Sequence, residues 1–535
     1  MSNDKTYYIT TPIYYVNGEP HMGHAYTSVA CDVLARFKRL DGYDVRFLTG
    51  TDEHGLKVYQ SARDKGRDAQ SVTDEYAQNF KDMAAKFNFS NDDFIRTTEE
   101  RHKKGAQAFW QKLVERGDIY LDSYSGWYAV RDEAYYTEDE LYKDENGVLK
   151  ANASGAEVKW VEEESYFFKL SEWQDRLIEF YEKNPEFIAP ASRKNEIISF
   201  VKGGLKDLSI SRTTFDWGIP VPNDPKHVMY VWIDALTNYI TALGYPDENT
   251  DNFQKYWPAD LHMVGKEITR FHCVYWPAFL MSAGLPCPKR VYANGWMTVE
   301  GEKMSKSVGN VISPDLLLQR YGLDGARYVL MKIAPFGNDC DFSHEHAVNL
   351  LNADLANGLG NLAQRSLSMI AKNCDGKVPA FNEDKLKGDF GDMHRELMNH
   401  TYMLGLDPNE IAGTVGRGIR GDMDRVQIHK ALELIMLAVS NCNSYIDFQA
   451  PWALRKTDFE KMESVLYVLA EAIRGIAILM QPFTPDSAAK LLDQLAVPEN
   501  QRTFAHLGSE YALKAGTELP TPQGVFPRII DEEAA

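Results

Sequence analysis

Residues 7–48, YYITTPIYYVNGEPHMGHAYTSVACDVLARFKRLDGYDVRFL, predict how the amino-terminal part of the chain folds. Tyr7 to Thr10 has the length and apolar character of a short buried strand, and Val45 to Leu48 has those of a second strand. Between them, apolar residues repeat on one helical face, and Gly42 follows at the place of a left-handed cap. This order is the unit of a parallel α/β sheet, which binds ligands at the carboxyl ends of its strands.

The composition is that of a folded protein with more than one domain. The chain has 535 residues, of which 44 % are hydrophobic and 25 % are charged, and these values exclude wholesale disorder. The net charge of −19 excludes a histone-like protein that binds polyanions without selectivity. The negative net charge does not exclude nucleic acid as a partner, because a protein with a negative net charge can still bind nucleic acid through a local basic surface.

The cysteines and the apolar runs indicate the compartment. Six cysteines occur singly, and none has the C-x2-C spacing of a zinc knuckle or the close spacings of a disulfide framework. Scattered thiols of this kind are typical of a reducing, cytosolic environment. The first ten residues have no apolar core of signal-peptide length, and no run approaches the roughly 18 apolar residues of a membrane helix. We therefore expect a cytoplasmic protein with no membrane partner.

Shifts in residue pattern divide the chain into segments. A sheet domain is interrupted by an insert in which aromatic and acidic residues alternate, and the sheet then resumes with expected strands at Met229–Trp232, Leu261–Val264 and Val291–Asn294. The expected segments are 1–116 and 226–300 for the two halves of the sheet domain, 117–225 for the inserted domain, 301–349 for a basic loop and its surroundings, 350–495 for a helical domain and 496–535 for a C-terminal extension.

The last third of the chain has the signals of long helices. Ser313, followed by Pro314, and Ser343 are residue types that cap helix N-termini, and the helix after Ser343 is expected to run beyond Arg365. Apolar residues between Phe459 and Ile476 repeat with the helical period. This part of the chain is therefore predicted to form an α-helical bundle.

A first motif, His21-Met22-Gly23-His24, lies between the first strand and its helix. Two imidazoles three residues apart at a helix start point in the same direction, and the helix N-terminus adds N–H groups and a positive dipole end that suit phosphate. Gly23 leaves room for a ligand to approach the backbone. The alternative for such a string taken alone is a pair of surface histidines at a turn.

A second motif, Lys303-Met304-Ser305-Lys306-Ser307, is flanked by Gly301 and Gly309. Lysines on such a loop can neutralise a polyphosphate and stabilise the charge that develops in a transition state. A short basic loop alone is also compatible with plain solvated surface. The two motifs together, in this order and on these elements, resemble the two signatures of class I aminoacyl-tRNA synthetases.

Further blocks resemble one branch of that family, the methionyl-tRNA synthetases. These are Pro12–Gly18, the GTDEHG sequence at 50–55, the YVWIDA sequence at 230–235 and the run from Gly265 to Pro277, and matches extend from residue 7 to residue 452. The resemblance implies an α/β fold with a Rossmann-type parallel-sheet catalytic domain, an inserted α+β connective domain and a C-terminal α-helical anticodon-binding bundle. It implies methionine–tRNA ligation, with L-methionine and tRNA(Met), not DNA, as partners.

The resemblance also implies a methionine pocket. Aromatic walls suit a thioether, because sulfur–aromatic contacts are favourable by about 0.3–1.5 kcal/mol. Asp52 matches the carboxylate that holds the substrate ammonium, and Arg212 matches an arginine near that site, with a surface salt bridge as its alternative. The residues that match the side-chain pocket, each of which could instead be plain core, are Ile13, Tyr15, Trp232, Ala235, Tyr239, Phe271, His272 and Trp276.

The resemblance also implies an ATP-binding site. His21 and His24 would contact phosphates, and Gly23 would lie under the adenosine. Glu267 stands where the family often carries an aspartate for the ribose hydroxyls. Mg²⁺ is expected to accompany ATP. The residues implied in ATP binding are His21, Gly23, His24, Glu267, Lys303, Ser305, Lys306 and Ser307, and those implied in catalysis are His21, His24, Lys303 and Lys306.

The helical third contains a match to the anticodon reader of the family. Asn361 and Arg365 lie one helical turn apart, and Trp452 follows Ala450-Pro451. In the family an indole stacks on an unpaired base while Asn and Arg side chains contact its edge. The alternative is a capping asparagine, a surface arginine and a tryptophan of the bundle core.

Two departures from the family pattern carry predictions. Many relatives hold zinc knuckles in the inserted domain, but residues 117–219 contain no cysteine, so we expect no structural zinc and no other resident metal. The longer relatives also carry a further C-terminal module for dimerisation and tRNA binding, whose absence from this sequence favours a monomer.

Three rival functions differ in what they would require. A sibling synthetase for branched-chain amino acids would carry a larger editing insert, and the cysteine-specific enzyme would need thiolates for its zinc. A nucleotidyltransferase that acts on a small acid would not need the helical bundle. A tRNA-binding relative without activity would have no reason to keep both phosphate motifs. Amino-acid-dependent exchange between ATP and pyrophosphate discriminates among these functions.

Overall fold

A computed structural model describes residues 5–132, 134–299, 301–303, 310–387, 393–400, 404–405 and 418–530. The chain folds as two compact units. The first, here called the sheet unit, comprises Thr6–Pro20 and Arg46–Asn294. The second, the helical unit, comprises Met1–Lys5, His21–Val45 and Gly295–Ala535.

Most strands of the described residues are short; the long ones are Asp44–Asp52 and the antiparallel pair Ile119–Ala129 and Lys159–Phe168. In chain order they are β1 (Thr6–Thr10), β2 (Tyr14–Tyr15), β3 (Asp44–Asp52), β4 (Asp93–Arg96), β5 (Ile119–Ala129), β6 (Ala134–Tyr136), β7 (Leu141–Lys143), β8 (Leu149–Ala151), β9 (Lys159–Phe168), β10 (Ile188–Ala189), β11 (Leu208–Ser209), β12 (Ser211–Arg212), β13 (Pro220–Val221), β14 (Asp224–Met229), β15 (Leu261–Gly265), β16 (Val291–Asn294), β17 (Met297–Val299), β18 (Glu302–Lys303) and β19 (Cys340–Phe342).

The α-helices of the same residues occupy both units. They are α1 (Met22–Leu40), α2 (Leu56–Asp64), α3 (Ala69–Lys86), α4 (Glu100–Glu115), α5 (Gln174–Lys183), α6 (Ala191–Lys202), α7 (Val231–Thr241), α8 (Asp251–Tyr256), α9 (Trp276–Ala283), α10 (Pro314–Lys332), α11 (His344–Leu350), α12 (Asn361–Asn373), α13 (Met393–Met398), α14 (Ile419–Asp424), α15 (Ile428–Gln449), α16 (Pro451–Thr457), α17 (Phe459–Met480) and α18 (Pro485–Gln494). Two segments, Phe271–Tyr275 and Leu351–Gly360, are π-helical.

A seven-stranded sheet is the centre of the sheet unit. Its strand order is β10-β16-β15-β1-β3-β2, with β4 also paired to β3. The pairs β1–β15, β15–β16, β10–β16, β2–β3 and β3–β4 are parallel. The expected parallel α/β sheet is confirmed, and β1, β15 and β16 cover the strands predicted from their apolar runs.

The part of the sheet unit between α4 and α7 is rich in antiparallel strands. β5 and β9 form a ribbon in which Ile119 lies opposite Phe168 and Tyr128 lies opposite Lys159, and β6 and β11 extend it. β12, β14 and β13 form a further small sheet, and β7 pairs with β8. The insert of alternating aromatic and acidic residues thus contains antiparallel strands together with helices α5 and α6.

The strand predicted at Met229–Trp232 is wrong. β14 ends at Met229, Tyr230 is the N-cap of α7, and the helix begins at Val231. Short apolar runs do not distinguish a buried strand from the first turn of a buried helix. The correction matters because it places Trp232 on a helix.

In the helical unit the predicted caps are present. Ser313 Oγ accepts a hydrogen bond from Leu316 N at 3.1 Å, and Ser343 Oγ accepts one from His346 N at 3.4 Å. From Ser343 the chain stays helical through α11, the π-helical segment and α12, beyond Arg365 as expected. Residues 464–480 of α17 are all buried, which makes this helix the centre of the bundle.

Helix α1 is fixed within the helical unit by ion pairs. Asp32 and Arg327 are both fully buried, and their side chains meet at 2.6 Å. Arg327 also donates to the backbone oxygen of Pro482 at 2.8 Å. Lys38 contacts Asp424 at 2.6 Å. Such buried pairs tolerate little displacement, so the helix that begins beside His21 has a fixed position in its unit.

Hydropathy gives one further finding about this architecture. Among the residues that the structure describes, no helix combines the length and the apolar character that crossing a bilayer requires.

Candidate functional site

The carboxyl ends of β2 and β3 bring together the first residues of the predicted methionine pocket. Tyr15, at the end of β2, lies opposite Asp52, the last residue of β3. Val16 N donates to Asp52 O at 3.2 Å. Asp52 is 6 % exposed, and Ile13, two residues before Tyr15, is partly buried against the core of the unit. A carboxylate thus lies at the strand ends of a parallel sheet, where such sheets bind ligands.

Helix α7 supplies one wall of the pocket. Trp232, Ala235 and Tyr239 lie three and four residues apart, on one face of the helix. The Trp232 ring stacks on Phe271, with ring centroids 3.7 Å apart and an angle of 6° between the planes. Both rings are only partly buried and pack against the unit's core. They form a flat aromatic surface at the edge of that core.

Hydrogen bonds define the protonation of His272 behind this surface. His272 Nδ1 lies 3.0 Å from the backbone oxygen of Ile268, so Nδ1 carries the hydrogen and donates. Nε2 therefore accepts from the Tyr239 hydroxyl at 2.7 Å. Burial lowers the pKa of His272 to about 4. Trp276, fully buried, lies beside Tyr239 with ring centroids 6.2 Å apart. The inner wall is therefore aromatic and uncharged at neutral pH.

A buried ionic frame holds the chain that follows Asp52. The Glu53 carboxylate accepts from Arg96 at 2.6 and 2.9 Å and from Thr98 Oγ1 at 2.6 Å. The backbone oxygen of Glu53 accepts from Trp217 Nε1 at 2.6 Å. Contacts to both the side chain and the backbone oxygen of Glu53 thus hold in place the segment that follows Asp52. The sequence offered no signal for these partners, which come from distant segments.

A second buried group was also missed by sequence reasoning. Asp234, on the first turn of α7, contacts His54 Nδ1 and His102 Nε2, each at 2.7 Å. His54 lies within the GTDEHG block and Asp234 within the YVWIDA block, and this membership is the only signal that the sequence gave for them. Membership in the two blocks does not reveal that the side chains are in contact.

Glu267 and Arg212 complete the predicted residues of the sheet unit. Glu267 is exposed on a 3₁₀ turn directly after β15. Its carboxylate folds back over Gly265, where a Cβ would overlap it. Arg212 is 3 % exposed and lies over the rings of Tyr230 and Tyr135 at 4.6 and 4.9 Å. The alternative of a surface salt bridge for Arg212 is therefore wrong.

The histidine motif begins α1 in the helical unit. His21 is the N-cap, and its Nδ1 accepts from Gly23 N at 3.1 Å. His24 Nδ1 in turn accepts from His21 N at 3.1 Å, and the two rings lie 3.8 Å apart. Burial and the neighbouring His21 hold the pKa of His24 well below its ordinary value. Because Nδ1 accepts in both rings, Nε2 carries the hydrogen in each neutral ring.

The lysine motif is largely outside the described residues. Lys303 ends β18, opposite Thr298 of β17, and only its backbone is described. Ser305, Lys306 and Ser307 lie outside the described residues, so their predicted roles stay predictions. Gly301, before them, has a φ of 82° and donates its N–H to Asp341 at 2.7 Å.

Two of the three predicted anticodon residues, Arg365 and Trp452, meet on the surface of the helical unit. Arg365 of α12 lies 5.5 Å over the Trp452 ring and contacts Asp447 at 2.6 Å. Asn361 is exposed one turn earlier on α12. Trp452 is 46 % exposed. Ala450, with a φ of 45°, separates α15 from α16 and presents Trp452 at the start of the second helix.

Within the described ranges, no group of three or more His, Cys, Asp or Glu side chains is arranged so that it could hold a metal ion. The six cysteines are unpaired, and burial raises the pKa of Cys273 well above its ordinary value.

Two family models match the chain. The model of the class I tRNA synthetases (M) matches residues 7–367. The model of the anticodon binding domain of methionyl tRNA ligase matches residues 410–535. Together they cover most of the sequence.

Individual proteins match over the full length. A methionine–tRNA ligase of Brucella suis is 57 % identical and covers 100 % of this chain and 99 % of its own. One of Rickettsia bellii is 54 % identical over 98 % of this chain and 99 % of its own. Among solved structures, Mycobacterium tuberculosis methionyl-tRNA synthetase in complex with methionyl-adenylate superposes with a TM-score of 0.92 at 50 % identity, over 98 % of this chain and 100 % of that one.

Proposed function

The chain belongs to the class I methionyl-tRNA synthetases, and we propose how its residues divide the work of joining methionine to tRNA. The enzyme is a methionine–tRNA ligase that uses ATP. It forms methionyl-adenylate and pyrophosphate, and it then transfers methionine to the 3′ end of tRNA(Met). The Rossmann-type parallel sheet, the mixed inserted region and the C-terminal helices are the fold of this family.

Methionine recognition is assigned to the sheet unit. Asp52 would pair with the substrate ammonium, and the stacked Trp232 and Phe271 would contact the thioether. Neutral His272, held by Tyr239, offers no charge that would attract a polar side chain. Ile13, Tyr15, Ala235 and Trp276 would complete the pocket. The combination of one buried carboxylate and an uncharged aromatic wall is the observation that carries this assignment.

Adenylate formation needs positioning more than acid–base catalysis. The methionine carboxylate is already ionised at neutral pH. One of its oxygens attacks the α-phosphorus, a new O–P bond forms, and the bond to the β-phosphate oxygen breaks to release pyrophosphate. We assign the phosphates to the Nε2–H donors of His21 and His24 and to Lys303 and Lys306. Gly23, Glu267, Ser305 and Ser307 are the remaining proposed ATP contacts.

Mg²⁺ would arrive with the nucleotide. Mg²⁺ is bound by few protein ligands and by substrate phosphates in many nucleotide enzymes, and the donors proposed here, imidazoles and ammonium groups, are not its ligands. Its contribution when bound is to neutralise phosphate charge. The protein's own part is to hold the phosphates with N–H donors and lysine charges.

The transfer step joins the two substrates. The terminal ribose hydroxyl of tRNA attacks the adenylate carbonyl carbon and an ester forms. AMP leaves with the pair of electrons of the broken C–O bond, and the hydroxyl proton passes to the departing phosphate or to solvent. We propose that Asn361, Arg365 and Trp452 read the anticodon, with the indole stacked on an unpaired base. The half-exposed indole beside a guanidinium supports this assignment.

Three further properties are proposed with their own measurements. A monomer is expected in light scattering coupled to size exclusion. A cytoplasmic location, the compartment of cytosolic translation, is expected in cell fractionation. The proposed domain limits are 1–116, 117–225, 226–300, 301–349, 350–495 and 496–535. Limited proteolysis tests the junctions 116/117 and 495/496, which lie between regular elements, whereas 225/226 falls within β14 and 349/350 within α11 and should resist cleavage.

The substitution Asp52→Asn tests the pocket assignment. Loss of one partner of a buried charge pair typically costs about 2–5 kcal/mol, so KM for methionine in ATP–pyrophosphate exchange should rise at least about thirtyfold. KM for ATP should stay near its original value. Asp207→Asn, which removes a carboxylate that accepts from Tyr120 and Ser171 elsewhere in the sheet unit, is the matched control. An unchanged methionine KM in the Asp52 variant would refute the assignment.

A further inference from the structure

Three buried side chains form one hydrogen-bonded group in the sheet unit. The Asp234 carboxylate contacts His54 Nδ1 through Oδ2 and His102 Nε2 through Oδ1, each at 2.7 Å. The second nitrogen of His102 lies 2.9 Å from Thr241 Oγ1. Exposure is 3 % for His54 and 0 % for both His102 and Asp234. The group is therefore sealed from solvent and depends on its own partners.

The direction of these hydrogen bonds follows from the charge of Asp234. Burial alone would raise the pKa of this carboxyl, but the two facing histidines outweigh burial and hold the pKa at about 2. An ionised carboxylate only accepts, so His54 Nδ1 and His102 Nε2 both carry hydrogens. Both carboxylate oxygens are thus occupied by different segments of the chain, 180 and 132 residues away in sequence.

The group joins the two parts of the amino-acid pocket. His54 follows Asp52 by two residues, so one hydrogen bond connects Asp234 to the loop of the ammonium-binding carboxylate. Asp234 itself lies on α7 between Trp232 and Ala235 in sequence, and at about 100° per residue its side chain leaves the helix on the face opposite to Trp232, Ala235 and Tyr239.

Helix α4 packs on this same face of α7. His102 contacts Asp234 and Thr241, two turns apart on α7, and Gly105 packs so closely that a Cβ there would overlap the Thr241 side chain. Helix α7 therefore has little freedom to slide along α4. The single carboxylate that both histidines share connects α7 both to α4 and to the segment that follows β3.

We propose that Asp234 is a positioning residue that fixes the separation between Asp52 and the α7 wall of the pocket, and thereby selects a side chain of methionine's length. This inference rests on the proposed function of the pocket. A buried charged group gives no more stability than well-packed apolar residues of the same volume. The buried Asp234 group instead fixes the positions of the residues that line the pocket. This matters because a displacement of about 1 Å in a substrate site can lower the rate about a hundredfold.

Asp234→Asn is the first test. An amide has one accepting oxygen, so one imidazole loses its partner or must change its tautomer. In ATP–pyrophosphate exchange with the full chain, KM for methionine should rise about tenfold, the effect of one lost buried hydrogen bond. KM for ATP should stay within about twofold. The preference for methionine over ethionine, which is one methylene longer, should fall by about tenfold, since one methylene is worth about 10–200-fold in a fitted pocket.

A second pair of variants covers the case in which Asp234→Asn does not fold. His54→Asn keeps an N–H near the position of Nδ1 and should leave the methionine–ethionine preference within about threefold of the unaltered enzyme. His54→Leu removes the donor and should lower that preference as Asp234→Asn does. An equal preference in both His54 variants would overturn the proposal.

A purely structural role predicts a different pattern. Glu471→Gln changes another buried carboxylate, which accepts from Arg474 at 2.9 Å in the helical unit. It should lower the thermal midpoint and leave the methionine–ethionine preference unchanged. If Asp234→Asn behaves in the same way, Asp234 is not a positioning residue. Failure of the pocket assignment is distinct, because it would appear as an unaffected methionine KM in Asp52→Asn.

Discussion

Replacing Trp452 by alanine separates recognition of tRNA from folding. The indole is 46 % exposed, and its described contact is with the Arg365 guanidinium, which lies 5.5 Å above the ring. Truncation of a fully buried tryptophan costs about 3–5 kcal/mol, so truncation of a ring that is 46 % exposed should cost about half of that. Loss of the exposed cation–π contact adds about 0.5–1 kcal/mol. The thermal midpoint should therefore fall by only a few degrees.

The effect on aminoacylation should be larger. A base stacked on an aromatic side chain is worth about 1–3 kcal/mol, which corresponds to a loss of roughly 5- to 150-fold in kcat/KM for tRNA. Arg365 keeps its contact with Asp447 at 2.6 Å in the variant, so its side chain should stay in place. Methionine-dependent ATP–pyrophosphate exchange should be unchanged, because no tRNA takes part in that reaction.

The assay measures exchange, tRNA aminoacylation and the thermal midpoint on one preparation. Tyr511→Ala is the matched control, because Tyr511 is a partly exposed aromatic residue of the same unit whose ring contacts His506. It should leave aminoacylation unchanged. Equal losses of both activities in Trp452→Ala, or a midpoint lowered by ten degrees or more, would show that Trp452 supports the bundle and does not read a base.

Three further outcomes are expected. Lys306→Ala should slow adenylate formation by about 10²–10³-fold with little change in methionine binding; exchange within a few-fold of the unaltered enzyme would exclude the phosphate role. Protein purified without an affinity tag should contain well under one zinc per chain by elemental analysis, whereas a stoichiometric zinc that resists chelators would reveal a site not recognised here. Burial lowers the pKa of His400 to about 4, so protonation favours the unfolded chain, whose histidines titrate near about 6.5. The thermal midpoint should fall as the pH drops from 7 towards 4, less steeply in His400→Gln, and identical slopes in both proteins would contradict that reading.

Local signals in the sequence were sufficient for much of the fold. The serine caps at Ser313 and Ser343 and the period of α17 depend on neighbours within one or two turns, and these elements are present. The run Met229–Trp232 failed because a short apolar stretch contains no period that separates strand from helix.

Contacts between distant segments could not be predicted in the same way. The sequence suggested that Trp232 and Phe271 share a pocket only through family resemblance, and nothing in it indicated that Asp234 meets His54 and His102. Hydrogen bonds over more than a hundred residues depend on tertiary packing, which periodicity and capping do not report. The same limit left Arg212 undecided between an arginine near the substrate site and a surface salt bridge, and the sequence did not indicate that it is buried among tyrosines.

The measurement that tests the account most directly is ATP–pyrophosphate exchange across the standard amino acids in the absence of tRNA. The pocket described here, with Asp52 at one end and an uncharged aromatic wall of Trp232, Phe271 and neutral His272, predicts strong exchange with methionine and exchange at least about tenfold weaker with each of the others. Faster exchange with another amino acid, or none with methionine, would contradict it.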